Sequence, residues 1–286
     1  MIKFEHTDVH GFEPAIRGMR NPMNSWERSD SLFNFEGFYE SDGDRDCGCE
    51  SIYGVDIMGE PSESWSVFDD GVPFEGEENW SVGTGMLLGP NDRDLMMRLA
   101  KAGTEHSKYR RFLNVYVDIT APLYWWKEFD TYKVGTAANS CSTMHKIHAK
   151  EFTLEDFSCE HLMHIENPVR EKHDVPTTEV FGFIYDPDDV FGGALVQTPM
   201  AAFESTIRML NRCRDRFLET KDKRYWWNMI QLLPTSYNQK RTVLLNYENL
   251  AAMYRQRKDH KLDEWRDFCS WIETLPYSYL ITLRED

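Results

Sequence analysis

FLNVYVDITAPLYWWKEFDTYKVGTAANSCSTMHKI, from Phe112 to Ile147, changes its hydrophobic rhythm partway along. Leu113, Val115, Val117 and Ile119 alternate with Asn114, Tyr116, Asp118 and Thr120, which predicts a strand with one buried face. Pro122 breaks that pattern, Tyr124–Lys133 reads as a helix, and Val134–Thr143 reads as a turn or loop of small side chains. Trp125 and Trp126 stand side by side in the helical part. Neighbouring helix residues point about 100° apart, so at most one of them can wall a ring pocket.

Outward from this stretch the signals are mostly helical. In GPNDRDLMMRLAKAG, Gly89–Gly103, Asn91 or Asp92 can cap a helix, Leu95, Met96 and Leu99 form its apolar stripe, and Gly103 ends it. Thr198 before Pro199 starts a long helix, as N-cap and first helical residue. Phe203, Ile207, Leu210, Cys213 or Arg214, and Phe217 follow at helical spacing. Tyr225–Leu233, Val243–Arg257 and Leu262–Leu275 read as further helices, the last with Leu262, Trp265, Cys269 and Ile272 on one face. The fold class this predicts is α/β (α+β), a small sheet flanked by several long helices in a single domain.

Composition bounds the function. A chain of 286 residues with 41% hydrophobic and 14% aromatic content can bury a core. Mean hydropathy is −0.59, and no apolar run approaches the ~20 residues of a membrane span. The start, MIKFEHTDVHGF, lacks the apolar core of a signal peptide, which predicts a cytoplasmic protein. Six scattered cysteines do not form a disulfide framework, and Cys47-Gly48-Cys49 lacks the partners of a zinc site, so no metal is expected. A net charge of −16 argues against binding a nucleic acid backbone. Sixteen acidic and two basic residues between Glu27 and Trp80 mark an acidic insertion or lobe at about 27–85. Arg17 and Arg20, near Asn21, Asn24 and Ser25, can hold an anion or brace the start of the domain.

Two segments, Gly103–His145 and Leu232–Trp265, carry a resemblance. GTEHSKYRRF is similar to a GH-E-(S/T)-x-x-E-H turn, with His106 and Ser107 on its first His-Glu and Arg111 and Phe112 in place of the second Glu-His. Strand, proline and aromatic helix start follow without a gap. Thr131-Tyr132-Lys133 stands where RHRxxSxNxxSxR opens; with one residue inserted, Asn139 and Ser142 match its Asn and second Ser, and Met144 falls on its last Arg. Leu233-Pro234, Asn246 and Arg257 keep the register of a second pattern. The chain thereby resembles the flavin-dependent thymidylate synthases, over about its last two thirds.

The resemblance implies a homotetramer acting on a pyrimidine nucleotide. The reaction is reductive methylation of dUMP, an FAD-dependent nucleotide methyltransferase activity with methylenetetrahydrofolate as carbon donor and NADPH recharging the flavin. It places Arg257 against the base as the polarising, catalytic group, with Glu128, Cys141 and Ser142 as substrate contacts. It gives His106, Ser107, Arg111, Tyr132, Lys133, Asn139 and Asn246 to the flavin. The residues allow plainer readings as well. Arg257 can pair with Asp259 or Glu264 on a helix surface, Asn246 can cap a helix, His106 can be structural, and Lys133 and Arg111 can be solvated charges. Two arginines and a histidine of the signature are absent, Met144 replaces another arginine, and Ile230 stands where one is expected before Leu233-Pro234. Lysine cannot reproduce arginine's two-pronged bond to phosphate. A non-catalytic nucleotide-binding or structural oligomer of the same fold is therefore the alternative, and an acidic interaction protein a further one.

Overall fold

The computed structural model describes residues 2–40, 80–162, 179–180, 183–185, 195–197 and 198–284. Most of the acidic segment at 27–85, including Cys47-Gly48-Cys49, lies outside the described residues. The fold is mixed α/β. Its strands are β1 Lys3–His10, β2 Leu32–Glu40, β3 Trp80–Leu87, β4 Asn114–Pro122, β5 Ala137–Ser140, β6 Glu179–Val180, β7 Phe183–Tyr185, β8 Leu195–Gln197 and β9 Asn238–Asn246. Its helices are α1 Phe12–Arg20, α2 Pro90–Lys101, α3 Leu123–Phe129, α4 Pro199–Thr220, α5 Lys223–Leu232, α6 Tyr247–Arg257, α7 Asp263–Glu273 and α8 Tyr279–Thr282. One sheet has the order β1-β4-β9-β5, β2 and β3 form a ribbon, and β6-β7-β8 form a small third sheet. The chain divides into two compact units, one comprising residues 121–127 and 140–240, the other residues 2–120, 128–139 and 241–286.

In the second unit β4 has the alternation its sequence predicts, with Leu113, Val115, Val117 and Ile119 all buried. It pairs antiparallel with β1, from Lys3 opposite Thr120 to His10 opposite Asn114, with a register shift between Glu5 and Asp8. His6, inside that shift, has φ 52, a left-handed backbone of the kind a bulge absorbs. Trp265, Phe268 and Ile272 of α7 are fully buried. Phe268 and Trp271 also pack on Phe4 of β1, whose ring stacks on Trp271 at 4.9 Å. Burial of each such large side chain contributes about 1.5–3 kcal/mol relative to exposure.

Arg20 resolves as a brace. Its Nε donates to Asp92 Oδ1 at 2.6 Å, and the pair is almost fully buried. Asp92 Oδ2 accepts from the hydroxyls of Ser29 and Ser31, both at 2.7 Å. Neither Asn91 nor Asp92 caps α2, as the sequence suggested. The carboxylate of Asp30 reaches over instead and accepts from the backbone N–H groups of Asn91 and Asp92. A cap supplied by a residue distant in sequence satisfies the same orphan donors.

The first unit is built on α4 and α5. Thr198 Oγ1 accepts from Ala201 N at 3.1 Å, the predicted cap, and Ile207, Leu210 and Cys213 form the buried stripe. They pack with Ile147, Phe152, Phe157 and Met229. Asn211 clamps Phe152 by both backbone groups, each bond 2.8 Å. Trp125 and Trp126 are both core residues rather than pocket walls, and the indole of Trp126 donates to Gln239 O.

Several boundaries differ from the sequence expectation. β4 runs on through Pro122 instead of breaking before it, and the helix expected over Tyr124–Lys133 ends at Phe129. Val243–Asn246 belongs to β9, because Val243 and Leu245 alternate with Leu244 at period two before the helix begins. Ala137–Ser140, expected as loop, is a short edge strand that sits next to β9.

Candidate functional site

Helix α6 brings Arg257 to the end of α3 and the residues just after it. Tyr247 N donates to Leu113 O at 3.0 Å, which ties the start of α6 to the start of β4. The 11 residues of α6 then carry Arg257 to Glu128 and Tyr132, past the other end of β4. Arg257 Nη1 lies 3.0 Å from Glu128 Oε2, and its Nε donates to the Tyr132 hydroxyl at 2.9 Å. The Tyr132 hydroxyl donates onward to Gln256 Oε1 at 2.8 Å.

Aromatic faces hold the guanidinium. Its central carbon is 4.6 Å from the Trp265 ring centre and 5.6 Å from that of Tyr132. Such contacts are worth about 0.5–2 kcal/mol each, most where water is excluded. Trp265 acts twice, since its indole N–H also donates to Glu128 Oε2 at 2.8 Å. His260 completes the ring of neighbours: Nδ1 accepts from Leu262 N at 3.2 Å, leaving Nε2 toward Glu128 Oε2 at 3.8 Å.

Three sequence-nominated residues therefore converge: Glu128, Tyr132 and Arg257. Arg257 pairs with Glu128 rather than with Asp259 or Glu264. Trp265 and His260 were not nominated. Trp265 carried a usable signal, because a buried indole N–H needs an acceptor.

Asn246 is the N-cap of α6. Its side chain accepts from Asn249 N at 2.9 Å and donates to Gly135 O at 3.4 Å. Asn249 Nδ2 donates to Val134 O at 2.6 Å, so the segment after Lys133 is fastened to the helix start. Gly135 has φ +76, and a Cβ there would meet Asn246 Nδ2 at 2.9 Å. Only glycine fits both constraints without strain.

Ser107 is buried and donates to Glu248 Oε2 at 3.1 Å, while Arg110 Nη1 lies 3.7 Å from the same oxygen. Of the adjacent arginines, Arg110 is the buried one; Arg111, the one singled out from sequence, is exposed. His106, Lys133 and Asn139 are exposed too. In the other unit Cys141 is exposed, its backbone bonded to Lys240 O and to Gln239 Nε2. Ser142 Oγ accepts from Met144 N and His145 N, closing a turn. Ile230, at the position of an expected arginine, packs against the apolar core.

Chemically, the Arg257 cluster offers guanidinium donors beside a partly exposed carboxylate acceptor, while the faces of Trp265 and Tyr132 are turned to the guanidinium itself. His106, Arg111 and Lys133 offer exposed nitrogen groups that suit phosphates. Asn246 and Ser107 already spend their side chains on partners inside the protein.

No protein-family model and no curated protein matches the chain. Solved structures do match in fold, among them two of thymidylate synthase X from Helicobacter pylori in complex with FAD and dUMP. Each has a TM-score of 0.51 and 14% sequence identity; one comparison covers 99% of this chain and 97% of the other, the second 98% and 97%. The likeness extends along the whole of both chains, and at that identity it shows that this protein has the fold of a flavin-dependent thymidylate synthase.

Proposed function

We propose that this protein binds a pyrimidine nucleotide and, with FAD, carries out a thymidylate-synthase-like reductive methylation of dUMP or a variant of it. The observation that carries the reading is the convergence of Glu128, Tyr132 and Arg257 in one aromatic-lined cluster, within a fold shared with a synthase solved with FAD and dUMP. In this reading Arg257 donates to the base and stabilises charge developing on its carbonyl, while Tyr132 and Trp265 fix the guanidinium's orientation. Prior fixing matters, because a preorganised donor costs no rearrangement when charge develops. FAD, when bound, supplies the hydride, and His106, Arg111 and Lys133 would hold its phosphates. A homotetramer and the roles of Asn139, Cys141 and Ser142 as ligand contacts belong to the same proposal.

A second reading has its own observation. Arg257 is already neutralised by Glu128, and Ile230 and Met144 occupy positions where the family pattern has arginines. A colourless nucleotide-binding descendant accounts for both features. One measurement separates the two. Purified protein is mixed with FAD and then with dUMP, and absorbance near about 450 nm is followed through gel filtration. Flavin that co-elutes and is perturbed by dUMP supports the enzyme. Absence of flavin together with a nucleotide-dependent rise in thermal midpoint supports the non-catalytic nucleotide binder. Absence of both responses rejects the two readings together.

A further inference from the structure

Arg110 belongs to the turn Lys108–Arg111, which packs against α1 and α6, and its side chain is only 6% exposed. Its Nη1 lies 3.7 Å from Glu248 Oε2, well beyond the roughly 2.7–2.9 Å of a charge-assisted hydrogen bond. That carboxylate oxygen already accepts from the Ser107 hydroxyl at 3.1 Å. The Tyr109 hydroxyl is close enough to feel the guanidinium, but it spends its hydrogen on Met96 O at 2.9 Å. Arg110 Nε and Nη2 are shut off from solvent and meet no hydrogen-bond partner among the described residues.

Those two nitrogens form a unit. In a guanidinium Nε–H and one N–H of Nη2 point the same way, and together they make the fork that meets two oxygens of a carboxylate or phosphate. The fork of Arg110 is buried whole, and buried donors without partners are costly. Charge points in the same direction. Lys108, Arg110 and Arg111 put three cations into four residues of a chain whose net charge is −16. The N-terminus of α6, with Glu248 in its first turn, adds partial positive charge. Glu248 offsets one of these charges. A water molecule could accept from the fork, but it would leave the charge as it is.

We infer that the Nε–Nη2 fork of Arg110 is a binding site for a small oxyanion: inorganic phosphate, sulfate or a simple carboxylate. Two oxygens on one centre match two parallel donors, which a monatomic chloride cannot do. The closed surroundings suit a small ion rather than a whole nucleotide. Arg110 is not among the residues that the resemblance gives to the flavin, and the site does not depend on the nucleotide reading above.

The test is the thermal midpoint of the full chain, with sodium phosphate, sulfate or acetate replacing sodium chloride at constant ionic strength. At about a hundredfold over Kd, at least one oxyanion should raise the midpoint by about 5 °C relative to chloride. Phosphate and sulfate also stabilise proteins by exclusion from their surface, so the readout is a rise that saturates. Arg110→Met, similar in length but without donors, should show no saturable rise. If that variant fails to fold, Arg110→Lys decides: it keeps the charge but lacks the fork, and should need at least several-fold more oxyanion. Arg111→Gln, at the exposed neighbour, should respond like the wild type, and saturating FAD should leave the response in place. A wild-type midpoint without a saturable oxyanion rise overturns the inference. So does an unchanged response in Arg110→Met or Arg110→Lys, or a response abolished by Arg111→Gln or by FAD.

Discussion

Trp265 and Glu128 are joined by an indole hydrogen bond of 2.8 Å, and the same tryptophan ring carries the Arg257 guanidinium on its face at 4.6 Å. One buried side chain thus sets the positions of a carboxylate and of the cation that neutralises it. The cluster is rigid because its parts constrain one another rather than because any one bond is strong.

Arg257→Ala should therefore separate binding from stability. The Glu128 side chain is more than a third exposed, so the lost ion pair should cost about 1 kcal/mol or less. On the proposed reading, affinity for a pyrimidine nucleotide should fall about tenfold or more. Arg257→Lys should recover little, since an ammonium lacks the second nitrogen and the planar face that Trp265 supports. Titration calorimetry beside a urea melt checks both parts. A large stability loss with unchanged affinity would make Arg257 structural only.

Asp92 is the opposite case. It and Arg20 are almost wholly buried, and Asp92→Ala leaves a guanidinium without its counter-charge. The expected loss is about 3–5 kcal/mol, with Asp92→Asn milder. Urea midpoints measure it, and a loss below about 1 kcal/mol would mean water replaces the carboxylate.

Gly135 and Asn246 should behave as a coupled pair. Gly135→Ala meets both a positive φ and Asn246 Nδ2 at 2.9 Å, and should cost about 1–2 kcal/mol. Asn246→Ala removes the cap of α6, worth about 1 kcal/mol. Shortening Asn246 removes the 2.9 Å contact and leaves the added methyl facing Asn249 Oδ1 at 3.2 Å, so the double variant should lose less than the sum of the two. A double-mutant cycle reads the difference directly. Additive losses would show that the Gly135 cost is all backbone.

Alkaline pH should unfold the protein cooperatively. Burial pushes the Tyr109 phenol up to about 12 and the Cys269 thiol up to about 11, the latter with help from Glu273 and Asp259. Burial and the hydrogen bond to Glu273 raise Tyr254 to about 12. These groups ionise more easily in the unfolded chain, so their contribution is intact below about pH 9 and is lost as pH rises through 11 and 12. The thermal midpoint should fall over that range while phenolate absorbance rises with unfolding. Phenolate appearing well before unfolding, by stopped-flow pH jump, would contradict it. At pH 8 the exposed Cys141 should alkylate far ahead of the buried Cys213 and Cys269.

The sequence by itself determined the strand at β4, the Thr198-Pro199 start of α4, the buried faces of α4 and α7, and the mixed α/β class. These follow from periodicity and capping, which act between near neighbours along the chain. It also nominated Glu128, Tyr132 and Arg257. Which partners each would take was decided only by tertiary structure. Asp30 outcompeted Asn91 and Asp92 for the cap of α2, and Glu128 outcompeted Asp259 and Glu264 for Arg257. Both winners lie far away in sequence, and sequence spacing cannot rank a distant carboxylate against a near one. The packing of Trp265 beneath the guanidinium fixed the outcome, because burial makes its N–H require the same carboxylate that Arg257 needs.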